Sequence, residues 1–267
     1  MPDGFLHAPL GSLAPDVCRI GFSASYRPGR ETVHRAIDEG IGYYFYYGFD
    51  THLTRVLPGA IGSRRERFVL ATGAYNYIWA HQNLRRTLER RLRQMKTDYI
   101  DLFHFLGITR PSHLTARVRE ELQAVRESGL VRGVAVSCHD RKFAAELLRA
   151  GTIDAAMIRY NAAHRGAETE IFPLLPEPRP PLVAYTATCW TMLLRRPRGY
   201  PRGAPLPDAA MCYRFALSNP AISVCLMAPK NLREFEANLA GVRRGPLDEE
   251  EAAFLRSFGD RVHWGRA

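Results

Sequence analysis

The chain has 267 residues, a formal charge of +10, 46% apolar and 24% charged residues. That length suits one (β/α) barrel, which takes about 250 residues, and no apolar run approaches the 18 or so residues of a membrane span, so a membrane partner is not expected. The five cysteines, Cys18, Cys138, Cys189, Cys212 and Cys225, are odd in number and contain no CxxC pair, which argues against a disulfide framework or a metal site and for reduced thiols. The first eleven residues lack the charged start and apolar stretch of a signal peptide, so the expected location is cytoplasmic. The positive charge is almost all arginine, since lysine occurs only at Lys96, Lys142 and Lys230. These arginines are spread through predicted helices, as in Arg85-Arg86, Arg90-Arg91-Arg93 and Arg195-Arg196, with no nucleic-acid-binding motif beside them. The expected partner is therefore a small anionic molecule rather than nucleic acid, and oligomeric state leaves no signature.

Short apolar runs alternate with amphipathic stretches along the whole chain, the pattern of parallel strands and crossover helices. Strands are predicted over 18–23, 42–46, 68–72, 99–106, 133–137, 155–160, 182–186 and 222–226. Helices are predicted over 31–39, 82–95, 114–127, 142–149, 209–217 and 231–239, from apolar residues at three- and four-residue spacing. Eight such units without a composition break predict an α/β fold, a (β/α)8 TIM barrel forming one domain over 1–267. A C-terminal helix follows over 247–258, with acidic residues 248–251 at its positive end. The Pro-, Arg- and Gly-rich segment 189–207 follows strand seven and reads either as a lid over the mouth or as a surface insertion.

Several stretches together resemble the aldo-keto reductases over nearly the full length. Ala36-Ile37-Asp38-Glu39-Gly40-Ile41 is similar to the family's helix running into strand two, and Lys96-Thr97-Asp98-Tyr99-Ile100-Asp101-Leu102 to its entry to strand four. Val131-Arg132-Gly133-Val134-Ala135-Val136-Ser137, Arg159-Tyr160-Asn161, Val183-Ala184-Tyr185-Thr186 and Asn238-Leu239 are similar to landmarks of strands five to eight. The resemblance implies a barrel enzyme using NADPH, with a tyrosine that protonates the substrate carbonyl, a lysine and an aspartate that tune it, and a histidine that orients the substrate. At the matching positions stand Phe45 for the aspartate, Gly73 for the lysine and Leu106 for the histidine. The tyrosine falls on Tyr47 when the Tyr47-Gly48 pair is aligned, or on Asp50 by counting from Phe45. A run such as Tyr43 to Tyr47 also reads as core packing.

For the cofactor, the resemblance retains Ser137, Tyr185 and Asn238, while Cys138 and Met157 replace an asparagine and a glutamine. The positions that grip the 2′-phosphate hold Ala228, Pro229 and Glu234, with Lys230 or Arg233 as the nearby compensating cation. The support for NADPH is thus weak. Strand alternation puts His104 on the face of Leu106 and Arg159 on that of Met157, so each reads as a lumen group. A core histidine and an arginine paired with Asp50 are the structural alternatives. With Tyr47 and His164 they make four catalytic candidates. Asp50, Cys138, His139, Asn161 and Trp190 cluster in predicted mouth loops as substrate-binding candidates. A Cys-His pair across those loops reads either as an activated thiolate or as inert, and His164 with Glu168 as an acid/base or surface pair. Three functions follow: a repurposed enzyme doing non-redox proton transfer (dehydration, isomerisation or cyclisation) on a small carbonyl compound, a reductase with a substitute proton donor, or a noncatalytic binding protein.

Overall fold

The computed structural model describes residues 3–77 and 80–264. Eight parallel strands close into a barrel: β1 (Ile20–Ser23), β2 (Tyr43–Phe45), β3 (Val69–Tyr75), β4 (Ile100–Ile108), β5 (Val131–Cys138), β6 (Ala155–Arg159), β7 (Leu182–Tyr185) and β8 (Val224–Met227). Each is buried on both faces, so its sequence is a near-continuous apolar run rather than an alternating one. The following helices are α1 (Arg30–Asp38), α2 (Leu53–Ile61), α3 (Leu84–Met95), α4 (Ala116–Glu127), α5 (Arg141–Arg149), the single turn α6 (Ala167–Glu170), α7 (Ala209–Ser218) and α8 (Leu232–Val242). The terminal helix α9 spans Glu249–Trp264. Where loops enter helices, Asn83, Thr115, Asp140, Asp208 and Asn231 each accept a backbone N–H from the first turn.

Two apolar cores result. The larger fills the space between strands and helices. The smaller fills the barrel lumen with Tyr43, Phe45, Val69, Ala71, Leu102 and Met157 among others, and reaches down to Leu10, Leu13 and Ala14. Those last three belong to the turn joining His7–Ala8 to Val17–Cys18, an antiparallel hairpin packed against the lumen core.

The predicted strands are present, with one division. The run 18–23 splits at Arg19, whose guanidinium donates to Leu217 O and Ile222 O, so Val17–Cys18 joins the hairpin and Ile20–Ser23 the barrel. Helix α2 was not anticipated, because Pro58 and Gly59 interrupt its pattern. The segment after strand seven divides: Trp190 stays at the mouth, and the later residues pack on the terminal helix. Tyr200 packs edge-on against Phe258 of α9 at 5.1 Å, and Arg196 donates to Pro201 O and Ala204 O, so the loop is folded against the terminal helix.

Candidate functional site

The C-terminal ends of the strands, where barrel enzymes place their chemistry, enclose a cavity of about 370 Å³. Its walls come from Ser23 and Tyr26 after β1, Tyr47 after β2, Tyr185 and Trp190 around the β7 loop, and Leu226 at β8. A second cavity of about 400 Å³ abuts it between the loops following β1 and β2, lined by Arg27, Phe49, Asp50 and His52, and sharing Ser25 and Tyr47 with the first. Four residues of the β7 loop, Thr186, Cys189, Trp190 and Thr191, have left-handed backbones with φ of 56, 51, 52 and 69°. None is glycine, so each stores on the order of 1 kcal/mol of strain, a feature that clusters at ligand sites. Asn161 holds the loop there by donating from Nδ2 to Thr186 O at 2.8 Å.

Several candidates stand elsewhere. Tyr47, Tyr185 and Trp190 line the first cavity and Asp50 the second. Arg159 neighbours Tyr185 across the β6–β7 register, half-buried, with its guanidinium 6.0 Å from the Trp190 ring. No carboxylate among the described residues pairs with it, so the Asp50 partnership does not form; Asp50 lies across the mouth, after β2. Asn161 is a loop brace rather than a substrate ligand: it is fully buried, and its Oδ1 accepts from Ala163 N. Cys138 is also committed, with its buried thiol donating to Asp140 O at 3.1 Å and pushed up to about 12 by burial. His139 is exposed outside both cavities, and its pKa is lowered by partial burial and by Arg159.

His164 does not reach the cavities either. Its Nδ1 lies 3.6 Å from Cys189 Sγ and 3.2 Å from Asn161 Oδ1, and its ring meets His263 of α9 at 5.4 Å. The Cys-His pair therefore exists, but Cys189 is fully buried beneath the loop, away from any substrate. Nor does His164 pair with Glu168, which binds the Tyr160 hydroxyl and Arg256.

His104 occupies the lumen but is sealed under Phe45, whose ring meets it at 5.5 Å. Its Nδ1–H donates to Thr72 O at 3.1 Å, leaving Nε2 without a partner. Burial lowers its pKa from 6.5 to about 4, so at neutral pH it is an uncharged core group, not a proton donor to a bound substrate. Because the folded value lies below the unfolded one, the unfolded chain takes up the proton first as pH falls. Stability is complete above pH 6.5 and declines toward pH 4, by roughly 3 kcal/mol in all. Urea midpoints of wild type and His104→Phe at neutral and acid pH check this: the variant is expected to lose much less stability on acidification.

Sequence reasoning missed an aromatic stack. Phe49, Tyr47, Tyr75 and Tyr77 lie face to face in succession, with centroid spacings of 5.4, 6.3 and 6.0 Å and interplanar angles of 16, 21 and 17°. Extending strand three to Tyr75 would have found it, since Ala71, Gly73 and Tyr75 alternate onto one face. At Gly73 a Cβ would fall 2.3 Å from His104 O, so the position opposite His104 admits no side chain at all.

The residues at the NADPH positions fit that cofactor poorly. Met157 and the committed thiol of Cys138 offer no strong hydrogen bond to a carboxamide. At the start of α8, Asn231 Oδ1 accepts the Glu234 N–H and Glu234 Oε2 accepts the Lys230 N–H, so a carboxylate occupies the helix entry that the resemblance matches to the 2′-phosphate contacts. Ser137 is buried, Asn238 is buried with Nδ2 unpartnered, and Lys230 and Arg233 are exposed. Among the described residues no group of three or more His, Cys, Asp or Glu is placed to hold a metal, and no helix is long and apolar enough to cross a membrane.

Comparison with known proteins returns one family. The model of the aldo/keto reductase family matches residues 30–202. An uncharacterized oxidoreductase, YqkF of Bacillus subtilis, is 23% identical over 238 residues, covering 76% of this chain and 77% of its own. The holo form of aldo-keto reductase AKR11C1 from Bacillus halodurans superposes with a TM-score of 0.74 at 20% identity, over 94% of this chain and 95% of that one. An aldo/keto reductase from Klebsiella pneumoniae in complex with NADP and acetate gives 0.71 at 19% identity, over 92% of each chain.

Proposed function

Since the chain belongs to the aldo/keto reductase family, we propose that it is a member whose barrel performs proton transfer on a small anionic carbonyl compound without net redox chemistry. One observation supports this reading: Gly73, which the resemblance matches to the family's lysine, is closed to any side chain by the backbone of β4. Phe45 and Leu106 belong to the apolar lumen core and His104 is sealed beneath Phe45, so none of the three passes a proton to a group at the mouth.

What the mouth offers is a different set. Tyr47 borders both cavities, and its hydroxyl is the hydrogen-bond donor proposed for a substrate carbonyl. Arg159, with no internal carboxylate partner, suits a substrate carboxylate or phosphate. The ring stack from Phe49 to Tyr77 gives a planar or apolar body a surface to lie on. Dehydration, isomerisation and cyclisation all need a polarised carbonyl held in this way, and none needs a dinucleotide.

A second reading, a dinucleotide-dependent reductase with a substitute proton donor, draws on the unpartnered Asn238 Nδ2 and on Tyr185 in the cavity wall. Titration with NADPH and NADP, followed by intrinsic fluorescence, separates the two, because Trp190 and Tyr185 line the cavity a nicotinamide would enter. No saturation at millimolar cofactor is the expected result. Micromolar binding would overturn the proton-transfer reading in favour of the reductase.

A further inference from the structure

Two aspartates are buried among the described residues, Asp50 and Asp101, and they differ in one respect. Asp101 is met by two arginines, with Arg65 Nη2 at 2.7 Å and Arg132 Nη1 at 3.4 Å. Asp50 is only 8% exposed, yet among the described residues no cation lies within ion-pair distance of it. Its Oδ1 is fixed by the backbone N–H groups of His52 at 2.9 Å and Leu53 at 3.0 Å, at the entry to α2, and its Oδ2 has no partner. A desolvated carboxylate without countercharge is strongly disfavoured, all the more notable in a chain carrying +10. Burial accordingly raises its pKa.

The surroundings of Asp50 are those of a receptor for a cation. It lines the cavity between the loops after β1 and β2, whose wall carries the stacked rings of Tyr47 and Phe49. Phe49 is 78% exposed, an unusual position for a phenylalanine unless its face is used. A carboxylate beside aromatic faces matches an ammonium group joined to an apolar body: charge to the carboxylate, N–H to Oδ2, and the cation or its carbon skeleton to the rings. Two of the other polar groups of the cleft are already placed, and the Ser25 hydroxyl, 2.8 Å from that of Ser23, is one of them. His52 Nδ1 accepts the Gly29 N–H at 3.1 Å, and Arg27 is an exposed rim residue.

The geometry points to this cleft as a binding subsite for a primary amine, held by the Asp50 carboxylate against the faces of Tyr47 and Phe49. The inference deepens the proton-transfer reading and rests on it only for the role of Tyr47: an amine seated here extends past the shared Tyr47 into the mouth cavity, making the substrate a carbonyl compound that carries an ammonium group in addition to the anionic group suited to Arg159.

Calorimetric titration of the full chain with benzylammonium, and with benzyl alcohol as its neutral counterpart, tests the subsite directly. Asp50→Asn removes the charge but keeps the Oδ1 acceptor that starts α2, asparagine being as good a residue at a helix entry. The expected result is saturable benzylammonium binding, on the order of tenfold tighter than benzyl alcohol, with that preference lost in Asp50→Asn. Phe49→Ala, an exposed position whose truncation leaves the core intact, weakens benzylammonium several-fold. Absence of saturation, equal affinity for the alcohol, or unchanged binding in Asp50→Asn would each overturn the proposal. Turnover and cofactor play no part in the readout, so failure of the subsite and failure of the proton-transfer reading show themselves in separate experiments.

Discussion

A lysine introduced at position 73 is expected to destabilise the barrel instead of restoring reductase activity. Residue 73 pairs with His104 in the β3–β4 register, and a Cβ there would lie 2.3 Å from the His104 carbonyl oxygen and 3.0 Å from its carbonyl carbon and its Cβ. Two of these atoms are backbone in the middle of a closed barrel, where neither neighbouring strand can move without disturbing the next. Overpacking a core typically costs 1–3 kcal/mol when side chains alone give way; here main chain must shift, so about 3 kcal/mol or more is expected. Gly73→Ala isolates the steric part, because it adds only the Cβ, and should already show most of the loss in a urea midpoint. A Gly73→Lys protein with wild-type stability and NADPH-dependent carbonyl reduction would contradict both the steric argument and the function proposed for the mouth. The spacing of β3 and β4 at residue 73 thus leaves no room for a side chain.

The second large effect is expected at Arg214, far from the mouth. Its guanidinium is 4% exposed and makes four hydrogen bonds: to Gly245 O and Pro246 O at 2.7 Å each, and to both carboxylate oxygens of Glu251 at 2.7 and 2.6 Å. These contacts tie α7 to the turn that starts α9. Arg214→Met keeps the apolar stem but strands the two carbonyls and leaves Glu251 with only Arg244 Nη2 at 3.1 Å and the Asp248 N–H as partners; breaking a buried pair from one side costs about 3–5 kcal/mol, and the remaining partners put the loss at about 3 kcal/mol. Denaturation in urea checks the magnitude. Adding Glu251→Leu to Arg214→Met should recover part of the loss, since the half-buried carboxylate that has lost its bidentate partner goes with it; further destabilisation by the second substitution would show that the pair was not the source.

The barrel was legible in the sequence because its strands are apolar on both faces and its helices keep a helical period, and these patterns survive any change at the mouth. The family landmarks that were legible lie largely at the opposite end. Tyr99 is held between Arg65 and Arg132, whose guanidinium carbons lie 3.8 and 4.4 Å from its ring centroid, and Asp101 accepts from Arg65 and from Leu70 N at 2.8 Å. Those residues hold the frame, so they announce the fold and say little about chemistry. At the mouth, alternation correctly put His104 and Arg159 on the lumen face. It could not show that Phe45 seals the first while the second sits beside Trp190, because depth along a barrel axis depends on neighbouring strands. The position of His164 was illegible for a related reason. It follows from how the β6 and β7 loops dock on α9, contacts made between segments about 100 residues apart in the chain.

The hairpin at the foot of the barrel bears on traffic through the mouth. With Leu10, Leu13 and Ala14 packed into the lower lumen, the interior is a blind well. Substrate and product must therefore pass through the same opening, and the first product molecule must clear the aromatic rim before the next substrate can seat. For such a protein, product inhibition should be competitive with substrate.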